Sequence, residues 1–117
     1  MFVEGGELGL SLAGVNDKAG VIRVRNQVAL PRGGTPSTHT LKVDIPRLPD
    51  SARVENFCLR LATAVGIRAA RSLIMEAEGI PFVLVARYDR VLVETPAGKR
   101  LRRVHQEDFC QATGVGP

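Results

Sequence analysis

Tryptophan is absent from these 117 residues, tyrosine occurs once and phenylalanine four times. So thin an aromatic complement provides no platform on which successive bases could stack, which sets aside a stacking-type binder of single strands. Cysteine is nearly as scarce. Cys58 and Cys110 fit no metal-ligand spacing and no disulfide framework. Both fall at apolar positions of predicted helices, so buried free thiols in a reducing compartment are the expectation. No apolar run approaches the roughly 18 residues that cross a bilayer. The N-terminus lacks the basic-then-apolar pattern of an export signal, and the cytoplasm is the expected location.

A widespread excess of positive charge is also missing. The formal net charge is +4, yet Lys99, Arg100, Arg102 and Arg103 account for all of it, and the other basic residues match the 12 acidic ones. The excess is local, so direct nucleic-acid binding is not expected. A solvated hairpin end explains the run, with a patch that contacts phosphate or a partner as the alternative. What remains is an ordinary composition, 44% hydrophobic and 24% charged, sufficient for one domain at most with a modest core. Repeats and low-complexity segments are absent.

Residues 21–25 and 28–30 read as two short strands joined by a turn at Asn26-Gln27. Residues 38–45 alternate cleanly: Leu41, Val43 and Ile45 share one face, Thr40, Lys42 and Asp44 the other. Pro46 and Pro49 end that strand. The spacing of Val54, Phe57, Cys58, Leu61, Ala62 and Val65 predicts an amphipathic helix over 51–65, its apolar stripe facing a sheet. Asp50 or Ser51 suits the N-cap and Gly66 the stop. Glu55 borders the stripe, where it can pair with a cation on the sheet or simply favour the helix dipole. A hairpin follows around Glu78-Gly79, and its second strand, 82–86, is almost continuously apolar. A second hairpin turns at Thr95-Pro96-Ala97-Gly98. A short helix over 106–113 ends at Gly114, with Glu107 and Asp108 at its N-terminus. His39 braces the sheet, and neither His39 nor His105 has the neighbours of a metal site.

Loop, three strands, helix, hairpin, hairpin, helix: the fold class is α+β, a twisted antiparallel sheet with one packed helix and a short C-terminal helix. Two stretches in that order carry chemistry. Ser11-Leu12-Ala13-Gly14-Val15-Asn16-Asp17-Lys18 is a small-residue turn whose backbone N–H groups could cradle an anion. Lys42 then stands on a strand, held in a fixed direction. Phosphate loop, strand lysine, helix glutamate and a central strand leading to a hinge is the order of a protein-kinase small lobe.

Four segments sharpen the comparison: residues 11–18, Thr38-His39-Thr40-Leu41-Lys42, Val85-Ala86-Arg87-Tyr88-Asp89-Arg90, and His105-Gln106-Glu107-Asp108-Phe109-Cys110-Gln111. They resemble the HipA family of bacterial serine/threonine kinases, the toxin halves of HipA–HipB toxin–antitoxin pairs. The resemblance implies that Ala13, Gly14, Val15, Asn16, Asp17 and Lys18 form the ATP phosphate loop. It implies too that Lys42, partnered by Glu55, contacts ATP phosphates, and that the hinge backbone around Ala86 and Tyr88 holds adenine. Ser11 matches the serine that some members autophosphorylate, expelling the loop by adding charge. Asn16 stands where the family commonly has glutamine, and Ala86 where some members have glutamate.

By the same resemblance, residues 1–117 are a partial kinase domain, the nucleotide-binding small lobe without the catalytic lobe. The catalytic aspartate and the aspartate that holds Mg²⁺ would lie in that second lobe, so no catalytic residue and no metal site is expected in this chain. It should not phosphorylate a substrate by itself. The implied partners are a HipB-like antitoxin or the other kinase lobe, and a protein substrate bearing the target serine. The alternative from another class is a non-catalytic module that binds such a partner and regulates without chemistry.

Overall fold

The computed structural model describes residues 17–116. These divide into two compact units, one running to Arg87 and the other starting at Tyr88.

The first unit is an antiparallel sheet crossed on one face by a helix. Its strands are β1 (Lys18–Val24), β2 (Gln27–Ala29), β3 (His39–Val43), β4 (Ser72–Ala77) and β5 (Ile80–Ala86), with α1 (Ser51–Ala64) between β3 and β4. Their order across the sheet is β2-β1-β3-β5-β4. β5 is therefore interior, as its apolar run requires, and β3 lies beside it with Leu41 opposite Leu84. β1 begins at Lys18 rather than at residue 21, so the lysine that closes the phosphate-loop motif is already a strand residue. The turn into β2 falls on Arg25-Asn26, one position earlier than expected, with Arg25 at φ 56°. The β4–β5 turn is as expected. Glu78 and Gly79 take φ 54° and 74°, the paired positive values of a type I′ turn, whose twist matches that of the strands it joins.

The core lies on the sheet face away from α1. Val21, Leu41, Phe82 and Leu84 are wholly buried there with Val28, and Ala19, Val43, Leu73, Met75 and Ala77 pack around them. Directly opposite residues of antiparallel strands share a face. The pairings Val21–His39, Leu41–Leu84 and Val43–Phe82 thus put this cluster on one side. The pairings Lys18–Lys42 and Lys42–Val83 put both lysines on the other.

α1 departs from expectation in the side it presents. Ala52 is its one buried residue, and Glu55, Asn56, Leu59 and Ala62 are half-buried in line with it. The stripe read as the packing face turns outward instead: Val54, Phe57, Leu61 and Val65 are 57, 65, 50 and 65% exposed, and Cys58 is exposed with them. Two polar ties fix this orientation, Lys42 to Glu55 from β3 and Ser72 to Asn56 from β4. The helix ends as Gly66 suggested. Gly66 N–H donates to the Thr63 carbonyl and Ile67 N–H to that of Ala62, the doubled bond of a Schellman stop. Its start differs. Asp50 is the N-cap residue but its side chain caps nothing. Asp44 instead accepts from the N–H groups of Asp50 (3.0 Å) and Ala52 (2.9 Å).

The second unit is a hairpin, β6 (Arg90–Thr95) with β7 (Gly98–Arg103), followed by α2 (Phe109–Thr113). Asp89 and Arg90, the first residue of β6, form a buried ion pair at 3.0 Å where the strand begins. The Val104 N–H donates to the Asp89 carbonyl and extends the ladder by one rung. α2 is shorter than the 106–113 expected. It starts from a capping box in which Asp108 Oδ1 accepts from Gln111 N–H and Gln111 Oε1 accepts from Asp108 N–H. Glu107 is not part of that cap; it pairs with His105 at 2.8 Å. Cys110 is half-buried, so neither thiol is a core residue.

Candidate functional site

Alternation along β3 sends Leu41 into the core and Lys42 to the opposite face, beneath α1. The ladder with β5 holds the backbone of Lys42, since its opposite residue is the fully buried Val83. Its ammonium donates to Glu55 Oε1 at 2.6 Å. Both side chains are about one-third exposed, at 36 and 33%, so the pair is partly screened and contributes order rather than much stability, about 0.2–1 kcal/mol. What it fixes is direction. Glu55 is aimed by a helix whose first turn is anchored to β3's own extension through Asp44, and Ser51 Oγ accepts from Ile45 N–H at 2.7 Å in the same corner.

A cleft of about 270 Å³ opens at this corner, lined among others by Asp17, Lys18, Lys42, Ser51, Ala52 and Glu55. Lys18 and Lys42 are direct cross-strand partners. The start of β1 is pinned to β3 by the bond from Val43 N–H to the Asp17 carbonyl, 3.2 Å. Four charged groups, two of each sign, thus meet around one opening. Like charges directly opposite each other on adjacent strands are unfavourable, and Glu55 offsets only one of the two ammonium groups. The N-terminus of α1 lies in the same cleft, where Asp44 accepts from the Ala52 N–H and the Leu48 carbonyl from the Ser51 N–H, so two of its first donors are already taken.

Of the residues singled out in the sequence, Asp17, Lys18, Lys42 and Glu55 are brought together here. Ser11, Ala13, Gly14, Val15 and Asn16 lie outside the described residues. Ala86 ends β5 opposite His39, three positions along β3 from Lys42, a separation of about 10 Å on the same unit. Its N–H donates to the Arg71 carbonyl (2.8 Å), and the Arg87 N–H donates to the Thr38 carbonyl (3.0 Å). Both main-chain donors are therefore spent within the unit, which leaves them no bond to give a base edge. Tyr88 opens the second unit, where its hydroxyl bonds Gln106 Oε1.

His39 braces the other face of β3, with its Nδ1 2.8 Å from Thr38 Oγ1. Burial, then the nearby Arg23 and Arg71 guanidinium groups, hold its pKa below the usual 6.5, so it is neutral at pH 7. Sequence reasoning missed Asp44 as the cap of α1, although it shares a face with Lys42 two residues on. It also missed the Lys18–Lys42 register, which needs the β1–β3 pairing. Among the described residues, no three His, Cys, Asp or Glu side chains gather to hold a metal ion. No helix among them is long and apolar enough to cross a membrane.

Comparison with known proteins adds to this geometry. The family model described as the HipA-like C-terminal domain matches residues 10–117. A Sinorhizobium fredii protein named "Putative kinase Y4mE" is 44% identical over 110 residues, 94% of this chain and 26% of that protein. Among solved structures, the Shewanella oneidensis toxin–antitoxin system HipA, in complex with HipB and its operator DNA, matches with a TM-score of 0.69. The identity there is 29%, over 97% of this chain and 25% of that one. The chain therefore spans about a quarter of the length of the relatives it matches.

Proposed function

Since the chain belongs to the HipA-like C-terminal domain family, we propose that it is the ATP-binding portion of a HipA-type protein serine/threonine kinase. One observation carries the reading: the strand lysine Lys42 is paired with the helix glutamate Glu55 at 2.6 Å, at the mouth of a cleft. A kinase small lobe uses such a pair to hold a lysine against the phosphates of its nucleotide. The residues present fit a phosphate group, with two ammonium groups on one face of the sheet and a carboxylate that orients one of them. Bound there, ATP with Mg²⁺ supplies the transferable γ-phosphoryl group. Lys42 would hold phosphate oxygens, and Glu55 would keep Lys42 in place. Adenine would meet main-chain groups at the end of β5, at Ala86 and Arg87, other than the two N–H donors already spent.

The catalytic and metal-holding aspartates would come from the part of the kinase outside these residues. A protein serine is then the phosphoryl acceptor, and a HipB-like antitoxin is a partner of the assembled kinase. The outward apolar stripe of α1 supports this division of labour, because relatives four times as long have ample chain to cover it. Titration calorimetry of the 117-residue chain with ATP tests the reading. Binding should weaken at least tenfold in Lys42→Ala and partly recover in Lys42→Arg. An affinity unchanged in Lys42→Ala would remove the basis of the proposal. The chain alone should transfer no labelled γ-phosphate to itself or to an added protein.

A further inference from the structure

The second unit has a hairpin without a core. Among its described residues no apolar side chain is buried, and β6 and β7 pair only with each other. A two-stranded ribbon by itself is marginally stable in water, and a third strand is one way to complete it. The register separates its charges by face. Val91 stands opposite Arg102 and Val93 opposite Arg100, so these four share one side. The other side carries Arg90 opposite Arg103 and Glu94 opposite Lys99. Acid accompanies base there, since Arg90 is paired with Asp89 and Lys99 has Glu94 as its cross-strand neighbour. On the first side nothing offsets the charge. Arg100 and Arg102 are exposed, stand beside valines, and make no ion pair among the described residues.

We propose that the outer edge of β7 is a docking site for an extended acidic segment of a protein, which joins the ribbon as a third strand. Arg100 and Arg102 are two residues apart on β7, about 7 Å along the strand. Carboxylates two positions apart on the added strand fall on the same side at the same spacing, one to each guanidinium. Main-chain bonds along the edge then give affinity, and the alternating carboxylates give selectivity. The like charges of β7 keep a second copy of the same strand from pairing with it, and they admit a strand of opposite sign. The adjoining valines favour a polypeptide over a phosphate backbone, and residues 90–103 contain no aromatic on which a base could stack. The site uses none of the residues of the Lys42 cleft and stands independently of the nucleotide reading.

The test measures fluorescence anisotropy of labelled peptides with the 117-residue chain. Two threonine-rich peptides each carry two glutamates, placed two positions apart in one and three in the other. The first should bind at least fivefold more tightly, because only there do both carboxylates share a side of an extended strand. Arg100→Gln and Arg102→Gln should each weaken it at least fivefold. Lys99→Gln, which removes the same charge from the other side of the ribbon, should change it less than twofold. Arg100→Lys should keep most of the affinity and guards against a folding artefact. Equal binding of the two peptides, or equal losses in Lys99→Gln and Arg100→Gln, would overturn the site, leaving only undirected attraction. A DNA duplex that binds more tightly than either peptide and needs the same two arginines would overturn it in favour of a phosphate backbone. ATP affinity in Arg100→Gln should match wild type, so either reading can fail while the other stands.

Discussion

The two faces of the five-stranded sheet are built on different principles. On one, Val21, Leu41, Phe82 and Leu84 exclude water completely and no charge intervenes among them. On the other, the same strands present Lys18, Lys42 and Ser72 to a helix that meets them with Glu55 and Asn56. The larger apolar cluster lies on the first face, and on the second the buried Val83 and Ala52 sit among charged and polar groups. The separation is economical, since a strand with period two can serve both ends at once. Leu41 and Lys42 are neighbours in sequence and belong to different functions. Changes among the apolar residues of the first face should therefore unfold the unit, and changes to Lys42 or Glu55 on the second should alter what it binds while leaving it folded.

The sharpest way to break that contrast is at Phe82, which is wholly buried at the centre of the core. Phe82→Ala should cost about 3–5 kcal/mol, the usual loss for an aromatic side chain removed from a packed interior. Denaturant unfolding would read this as a fall in midpoint with little change in slope, or as failure to fold. A loss below about 1 kcal/mol would mean that the core does not carry the unit. Across the sheet, Glu55→Gln keeps the shape and removes the charge. Stability should change by no more than about 1 kcal/mol, because the pair is one-third exposed. ATP affinity should nevertheless fall, since Lys42 loses the group that aims it. An equal effect of the two substitutions on stability would erase the distinction between the faces.

Much of this arrangement was legible beforehand, and the failures have a common cause. Alternation in β3 separated Leu41 from Lys42 correctly, Glu78-Gly79 marked its hairpin, and Gly66 marked the end of α1. Each of these depends on local geometry alone. The pairing of Glu55 with a sheet cation also came out as one of two readings. What sequence could not supply was the rotation of α1 about its own axis. The hydrophobic stripe Val54, Phe57, Leu61, Val65 is the strongest periodic signal in the helix, and it points away from the sheet. Periodicity tells which side of a helix avoids water, not what that side packs against. Here two polar contacts and the small Ala52 decided the orientation. The register that sets Lys18 opposite Lys42 was likewise invisible, because strand pairing joins segments with no local signature of each other. The buried thiols expected at Cys58 and Cys110 failed with the stripe: Cys58 turns outward together with Phe57 and Leu61.

That outward stripe gives the smallest effect and the most telling one. Phe57 is 65% and Leu61 50% exposed, so the double change Phe57→Ser with Leu61→Ser removes little burial from the unit. Its stability should move by less than about 0.5 kcal/mol, as for other surface positions. An apolar surface of this kind, left uncovered, promotes association. Sedimentation of the wild-type chain should therefore show concentration-dependent self-association that the double variant loses, while both melt alike. A destabilisation of several kcal/mol would instead mean that the stripe is packed within the unit, and the two faces of α1 would have to be exchanged. Unchanged stability with unchanged, strictly monomeric sedimentation would leave the stripe without an associative role and weaken the case for a second lobe upon it. Loss of association alone fits a helix whose inner side aims Lys42 and whose outer side is an apolar surface open to association.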